Sequence, residues 1–225
     1  MSKFIVIEGL IGVGKTSLCK ILRDEWGAEL ILEPSEANPF LANFYADPGR
    51  FAFPTQMFYL ATRYAQQTQL HQTNLFKSLF VADYLFAKDQ LFAKQTLSGH
   101  ELDLYFRFSR LMTESVARPD LILFLDAPTS VIQSRIAKRA ISSEQVIQPD
   151  YLNALRRRYY GLWETYDQAP IYVIETTDWD YVSDPDGRRR MLELIQGYMD
   201  GKPVEGAPRA FKVLNDSQLQ LFEDR

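Results

Sequence analysis

Cysteine and histidine are nearly absent: the 225 residues contain one cysteine, Cys19, and two widely separated histidines, His71 and His100. No internal disulfide can form, and no histidine and cysteine cluster has the spacing of a zinc site. Cys19 reads as a small core hydrophobe rather than a reactive thiol. Also missing is any run of the roughly 18 apolar residues needed to span a bilayer. The N-terminus lacks the charged, apolar and small-residue succession of a secretory leader. Together these absences predict a cytoplasmic protein. Positive charge is short too, with 25 Lys and Arg against 29 Asp and Glu, a net charge of −4 and a pI near 5.3. A general nucleic-acid binder depends on excess basic residues to neutralise phosphates. That class is therefore excluded, and any phosphate must be met at a local site.

What the chain does have is 46% hydrophobic residues, enough for one substantial core and a short appendage. Continuous apolar or β-branched runs recur at 4–8, 28–33, 78–83, 121–127 and 171–176. Strands of this kind suit a parallel sheet covered on both faces. Between them, 16–26, 54–72, 84–95, 101–117, 130–140 and 150–166 carry apolar residues at three- and four-residue intervals and are predicted helices. The fold class is α/β, with about five parallel strands and helices on both faces. The stretch "AISSEQVIQPD" at 140–150 breaks two helices and reads as a short mobile lid. After "MLELIQGYM" the composition turns to glycine, proline and charge. The predicted organisation is thus a domain over 1–200 and a tail over 201–225 that is disordered or binds a partner.

The stretch "FIVIEGLIGVGKTSLCKIL" carries the clearest chemistry. Gly9, then four residues, then Gly14-Lys15-Thr16 is the spacing of a P-loop, set between a strand and a helix as that motif requires. Glycines let the backbone curl with its N–H groups inward, and the helix points its positive end at bound phosphates. Lys15 adds a cation and Thr16 a hydroxyl for magnesium. The triphosphate-binding set is Gly9, Gly12, Val13, Gly14, Lys15, Thr16 and Ser17. Two carboxylates end predicted strands nearby, where open α/β sheets bind ligands. Glu33 is suited to accept the proton of an attacking hydroxyl. Asp83 is suited to hold magnesium or balance a cation.

The segments "IEGLIGVGKTS", "LEPSEANPFLANFY", "PTQMFYLATRY", "VADYLFAKDQLFA" and "RIAKRAISSEQ", in this order, resemble the deoxynucleoside kinase family, bacterial branch, over about residues 3–195. The resemblance implies a P-loop kinase fold and transfer of the γ-phosphate of ATP, with Mg²⁺, to the 5′-hydroxyl of a deoxyribonucleoside in nucleotide salvage. It implies that Glu33 is the base and that Lys15, Arg135 and Arg139 clamp the moving phosphate. Tyr45 and Glu144 would hold the sugar 3′-hydroxyl. Gln56, Arg63 and Asp89 would read the base while Phe92 stacks on it. Asp180 and Tyr181 would cup the donor's adenine. The Arg63 and Asp89 pair favours deoxyadenosine, deoxyguanosine or deoxycytidine over thymidine. A homodimer packed through helices is also implied.

The match breaks in two places. Family members place arginine after the strand-three acid, whereas Asp83 is followed here by Tyr84, and Ile141 stands where a third lid arginine is common. Lys88, four residues beyond Tyr84, is a candidate to reach the same phosphates. The arginine triplets 156–158 and 188–190 read as solvated faces. Two other functions share some of these features. A nucleoside monophosphate kinase resembling thymidylate kinase shares the P-loop and Glu-Pro pair, but such kinases place an arginine just before that pair. A nucleotide-dependent switch or binding module would leave Tyr45, Gln56, Arg63, Asp89 and Glu144 unexplained. Finally, Gln218, Leu219, Gln220, Leu221 and Phe222 resemble a peptide that docks on the bacterial sliding clamp, although so short a pattern better suits an amphipathic tail that packs on its own domain or a partner subunit.

Overall fold

The computed structural model describes residues 2–33, 37–73, 78–113, 115–141, 144–202 and 210–212. Five strands run parallel: β1 (Lys3–Gly9), β2 (Glu29–Ile31), β3 (Leu79–Ala82), β4 (Leu121–Asp126) and β5 (Ile171–Glu175). A sixth, β6 (Ala210–Lys212), comes from the region read as a tail and pairs antiparallel with β5, so this part of the tail closes one edge of the sheet. The clamp-like residues 218–222 lie outside the described residues.

The sheet order is β2-β3-β1-β4-β5-β6. The connection from β1 runs to one side of it, to β2, and that from β3 crosses to the other side, to β4, which opens a crevice beyond the carboxyl end of β1. All six residues of β4 and all four of β3 are buried, as continuous apolar runs require when helices cover both faces. The described residues form eight α-helices: α1 (Lys15–Trp26), α2 (Leu41–Ala46), α3 (Pro48–Thr73), α4 (Asp89–Thr96), α5 (Gly99–Thr113), α6 (Thr129–Arg139), α7 (Pro149–Thr165) and α8 (Pro185–Met199).

Helix α3 begins six residues earlier than its apolar periodicity predicts and runs through Pro54. The start is set instead by Asp47, whose carboxylate accepts from the Arg50 N–H at 3.3 Å, and by Pro48 at the first helical position, where the missing N–H costs nothing. The apolar interior divides in two. The larger part surrounds the sheet and contains Cys19, fully buried as expected. The smaller joins Phe44, Leu60, Phe86, Ala93 and Tyr105 among α2 to α5. The site lies where the two meet.

Candidate active site

Gly9 leaves β1 at φ 147°, and a Cβ there would stand 2.4 Å from the Leu125 carbonyl oxygen of β4. Only glycine permits that approach. Gly14, at φ 115°, caps α1 under the Tyr181 hydroxyl, which an added Cβ would meet at 2.4 Å. The loop between them curls around Lys15, whose ammonium donates to the carbonyl oxygens of Gly9 at 2.8 Å and Leu10 at 3.0 Å. Burial, reinforced by the nearby Lys88 cation, lowers the Lys15 pKa from its ordinary value.

Asp83, at the end of β3, joins this loop to the second strand. One oxygen accepts from the Thr16 hydroxyl at 2.6 Å and the other from the Glu33 N–H at 2.7 Å. The Thr16 hydroxyl and Asp83 carboxylate are hard oxygen donors side by side, the chemistry that suits magnesium. Among the described residues no cluster of three or more His, Cys, Asp or Glu could hold a metal ion.

Beyond Glu33 opens a cavity of about 530 Å³. Its wall brings together Glu33, Tyr45, Gln56, Arg63, Asp83, Phe92, Arg139 and Glu144, all singled out from the sequence. The Arg63 guanidinium lies over the rings of Tyr59 and Tyr84, at 4.7 and 5.5 Å, and ion-pairs with both Glu33 and Asp89. Burial alone would raise the Glu33 pKa, but Arg63 and Lys88 outweigh it and hold the carboxyl at about 2. Burial pushes the Tyr151 phenol, also on the wall, up to about 12, so it stays a neutral donor.

Asp89 does not line the cavity. It is 1% exposed and sits behind Arg63 as its counter-ion, at the buried first residue of α4. Arg139 meets Glu144 across the lid in a two-point ion pair. Residues 142–143 of that lid, and Pro34 after Glu33, lie outside the described residues.

A second cavity, about 500 Å³, adjoins the loop and is lined by residues of 12–17, Arg135, Lys138, Arg139 and 177–183. Arg135 acts there as a bracket. It donates to the Val13 carbonyl at 3.1 Å, to the Thr176 hydroxyl at 3.0 Å and to the Thr176 carbonyl at 2.5 Å. Asp180 spends its carboxylate on its own turn, accepting from the N–H groups of Val182 and Ser183 at 3.0 and 2.8 Å.

Lys88 is 3% exposed and lines neither cavity, so the expectation that it reaches phosphates is corrected. A single 3-10 turn, Phe86–Lys88, folds it back toward the sheet. The first arginine triplet is likewise corrected. Arg156 binds Asp126, the Thr129 hydroxyl and the Ala127 carbonyl, tying α7 to the end of β4, and Arg158 bonds Gln95, whereas Arg157 is exposed. In the second triplet Arg188 is half-buried and donates to the Val182 carbonyl at 2.7 Å.

Sequence reading overlooked Glu8. It is fully buried in β1 and accepts from the Leu85 N–H at 2.6 Å, the Tyr159 hydroxyl at 2.9 Å and the Gly9 N–H at 3.1 Å. Its signal was available, since a carboxylate inside an apolar strand must be paired.

A family model described as deoxynucleoside kinase matches residues 5–200. The chain belongs to the deoxynucleoside kinase family. Among curated relatives it is 34% identical over 179 residues to a deoxyguanosine kinase of Bacillus subtilis, covering 79% of this chain and 86% of that one. It is 32% identical over 227 residues to a deoxyguanosine kinase of Lactobacillus acidophilus, covering 96% and 98%. The structure of M. mycoides deoxyadenosine kinase with bound dATP superposes with a TM-score of 0.73 at 25% identity, over 88% of this chain and 99% of that one. The kinase is therefore a phosphotransferase of deoxynucleoside salvage with ATP as the phosphoryl donor. Its P-loop and parallel sheet are the family's P-loop kinase fold. Among the described residues no helix is long and apolar enough to cross a membrane.

Proposed function

We propose that this kinase phosphorylates the 5′-hydroxyl of a deoxyribonucleoside, deoxyguanosine first, then deoxyadenosine and deoxycytidine, with thymidine disfavoured. The observation that carries this reading is the position of Glu33. Its carboxylate lines the 530 Å³ cavity together with Lys15 and Thr16 of the P-loop, with Arg63 and Lys88 both directed at its Oε1. Oε2 is then the oxygen left for a substrate hydroxyl. A carboxyl held at about 2 is a weak base, which suits phosphoryl transfer. In a loose transition state the hydroxyl proton leaves late, and orientation matters more than basicity.

The remaining residues take positions around this centre. Lys15 turns from the Gly9 and Leu10 carbonyls to the β- and γ-phosphates, and Arg139 adds a guanidinium from the lid. Tyr45 and Glu144 hold the sugar, Phe92 stacks on the base, and Gln56 with the Arg63 and Asp89 unit reads its edge. The names of the curated relatives support deoxyguanosine as the first choice. Thr16 and Asp83 would hold Mg²⁺, which supplies charge neutralisation of the donor's phosphates. Tyr181 borders the donor cavity with Asp180 beside it.

The functional unit is residues 1–200, and we place the protein in the cytoplasm as a homodimer. Leu104, Phe108 and Leu111 on α5 are 42%, 40% and 76% exposed, spaced four and three residues apart on one helix face. A second copy would cover them. Light scattering of the Phe108→Glu, Leu111→Glu double variant should show a monomer where the native chain shows a dimer.

The deciding experiment is a coupled ATP assay with deoxyguanosine, deoxyadenosine, deoxycytidine and thymidine, beside thymidine monophosphate. Turnover highest with deoxyguanosine is expected. Preference for thymidine would overturn the base assignment, and turnover with the monophosphate alone would overturn the acceptor.

A further inference from the structure

The structure assigns Lys88 a positioning role: it holds the Glu33 carboxylate from behind so that the carboxylate faces the substrate hydroxyl. This rests on the proposed part of Glu33 in catalysis. A lysine buried to 3% exposure needs carboxylate partners. Lys88 has two, with its Nζ 3.3 Å from Glu33 Oε1 and 3.6 Å from Glu8 Oε1. Glu8 is already satisfied by two N–H groups and the Tyr159 hydroxyl, so the shorter contact to Glu33 has the larger scope for function.

The route by which the chain brings Lys88 there is also specific. Leu85 donates its N–H to Glu8, and its carbonyl accepts the Lys88 N–H at 3.1 Å. The turn is thereby fastened to β1, and the lysine stem extends past the Tyr84 ring, 5.8 Å from the ammonium, to the end of β2. The ammonium thus spans the carboxyl ends of two strands that β3 separates in this part of the sheet. Arg63 meets the same Glu33 oxygen from α3. Two cations on Oε1 fix the rotation of the carboxylate and leave Oε2 to the cavity. Lys88 lines neither cavity, so it acts through Glu33 and not on phosphate.

The test separates this role from simple neutralisation of Glu8. Lys88→Met should lower kcat about tenfold to a hundredfold, the effect of a misplaced reacting group, and leave the KM for ATP unchanged. Because Lys88→Met also strands the Glu8 charge, the double variant Lys88→Met, Glu8→Gln is measured beside it. Its melting temperature should return toward the native value while kcat stays low, and Lys88→Arg should regain part of kcat. Recovery of native kcat in the double variant would overturn the proposal. So would a roughly tenfold rise in the KM for ATP, which marks a phosphate contact. Glu33→Gln is the control. Native kcat in that variant would sink the Glu33 reading and this inference together, whereas a loss there with an intact double variant sinks only the role of Lys88.

Discussion

The donor side of this site is built from backbone, and the acceptor side from buried charge. Around the P-loop, positive φ angles at Gly9 and Gly14 and the contact of Gly9 with β4 set the shape, and Lys15 is held by two carbonyl oxygens. Around the 530 Å³ cavity, no single loop sets the shape. Glu33, Arg63, Lys88, Asp89 and Glu8 come from four places in the chain and hold one another through ion pairs. Backbone geometry of the first kind belongs to one short segment and tolerates changes elsewhere. A charge network of the second kind depends on every member, since each removed partner strands another charge in a dry place.

The comparison is broken most severely at Arg63. Arg63→Met should destabilise the fold by about 3–5 kcal/mol, because Asp89 at 1% exposure is left without its counter-ion. Denaturant unfolding measures this. The double variant Arg63→Met, Asp89→Asn should regain most of that stability yet retain a raised KM for the nucleoside. Regained stability with a native KM would show that the pair serves packing alone.

Acid should act next most strongly, and also on the acceptor side. The Glu33 pKa is lowered from 4.5 to about 2 by Arg63 and Lys88, against the effect of burial. A depressed carboxyl contributes stability that is present above pH 4.5 and lost as pH falls toward 2. The native chain should therefore lose stability steeply across that window. Glu33→Gln should show a shallower slope there, read from unfolding curves at successive pH values. Equal slopes would mean that the carboxyl is not held down in the folded state.

On the donor side, Gly9→Ala forces a Cβ to 2.4 Å from the Leu125 carbonyl at a φ that suits glycine. A loss of about 2 kcal/mol is expected. The KM for ATP should rise well above native while the affinity for nucleoside, measured separately by thermal shift, stays near native. An equal loss on both sides would contradict the division between them.

This division also explains what could be read from the sequence. The P-loop was legible because glycine spacing, strand and helix follow one another within a few residues. The five parallel strands were legible because burial on both faces demands continuous apolar runs. Glu33 and Asp83 could be placed because strand ends define the crevice. The position of Asp89 behind Arg63, and the inward turn of Lys88, were not legible. Both depend on how the segment after β3 folds against α3, a distance of some twenty-five residues along the chain with no local signature. Arg156 was hidden for the same reason. Nothing in an arginine triplet says which member meets Asp126 and the Ala127 carbonyl and which stays in water. Strand β6 was invisible because three residues carry too little pattern beside the glycine and proline that precede them.

The smallest effect on stability should come from the lid, where the two sides of the site meet. Arg139 and Glu144 are paired at the surface, with the arginine side chain 44% exposed, so Arg139→Gln should change stability by less than about 1 kcal/mol. Its effect on turnover should nevertheless be large, because the guanidinium borders both cavities. On the proposed reading, in which Glu144 binds the sugar and so frees Arg139 for the transferring phosphate, a loss of kcat with little change in melting temperature is expected. Glu144→Gln should instead raise the nucleoside KM first. If both variants changed only the melting temperature, the pair would be a surface contact with no part in transfer, and the two sides would have to communicate through Glu33 alone.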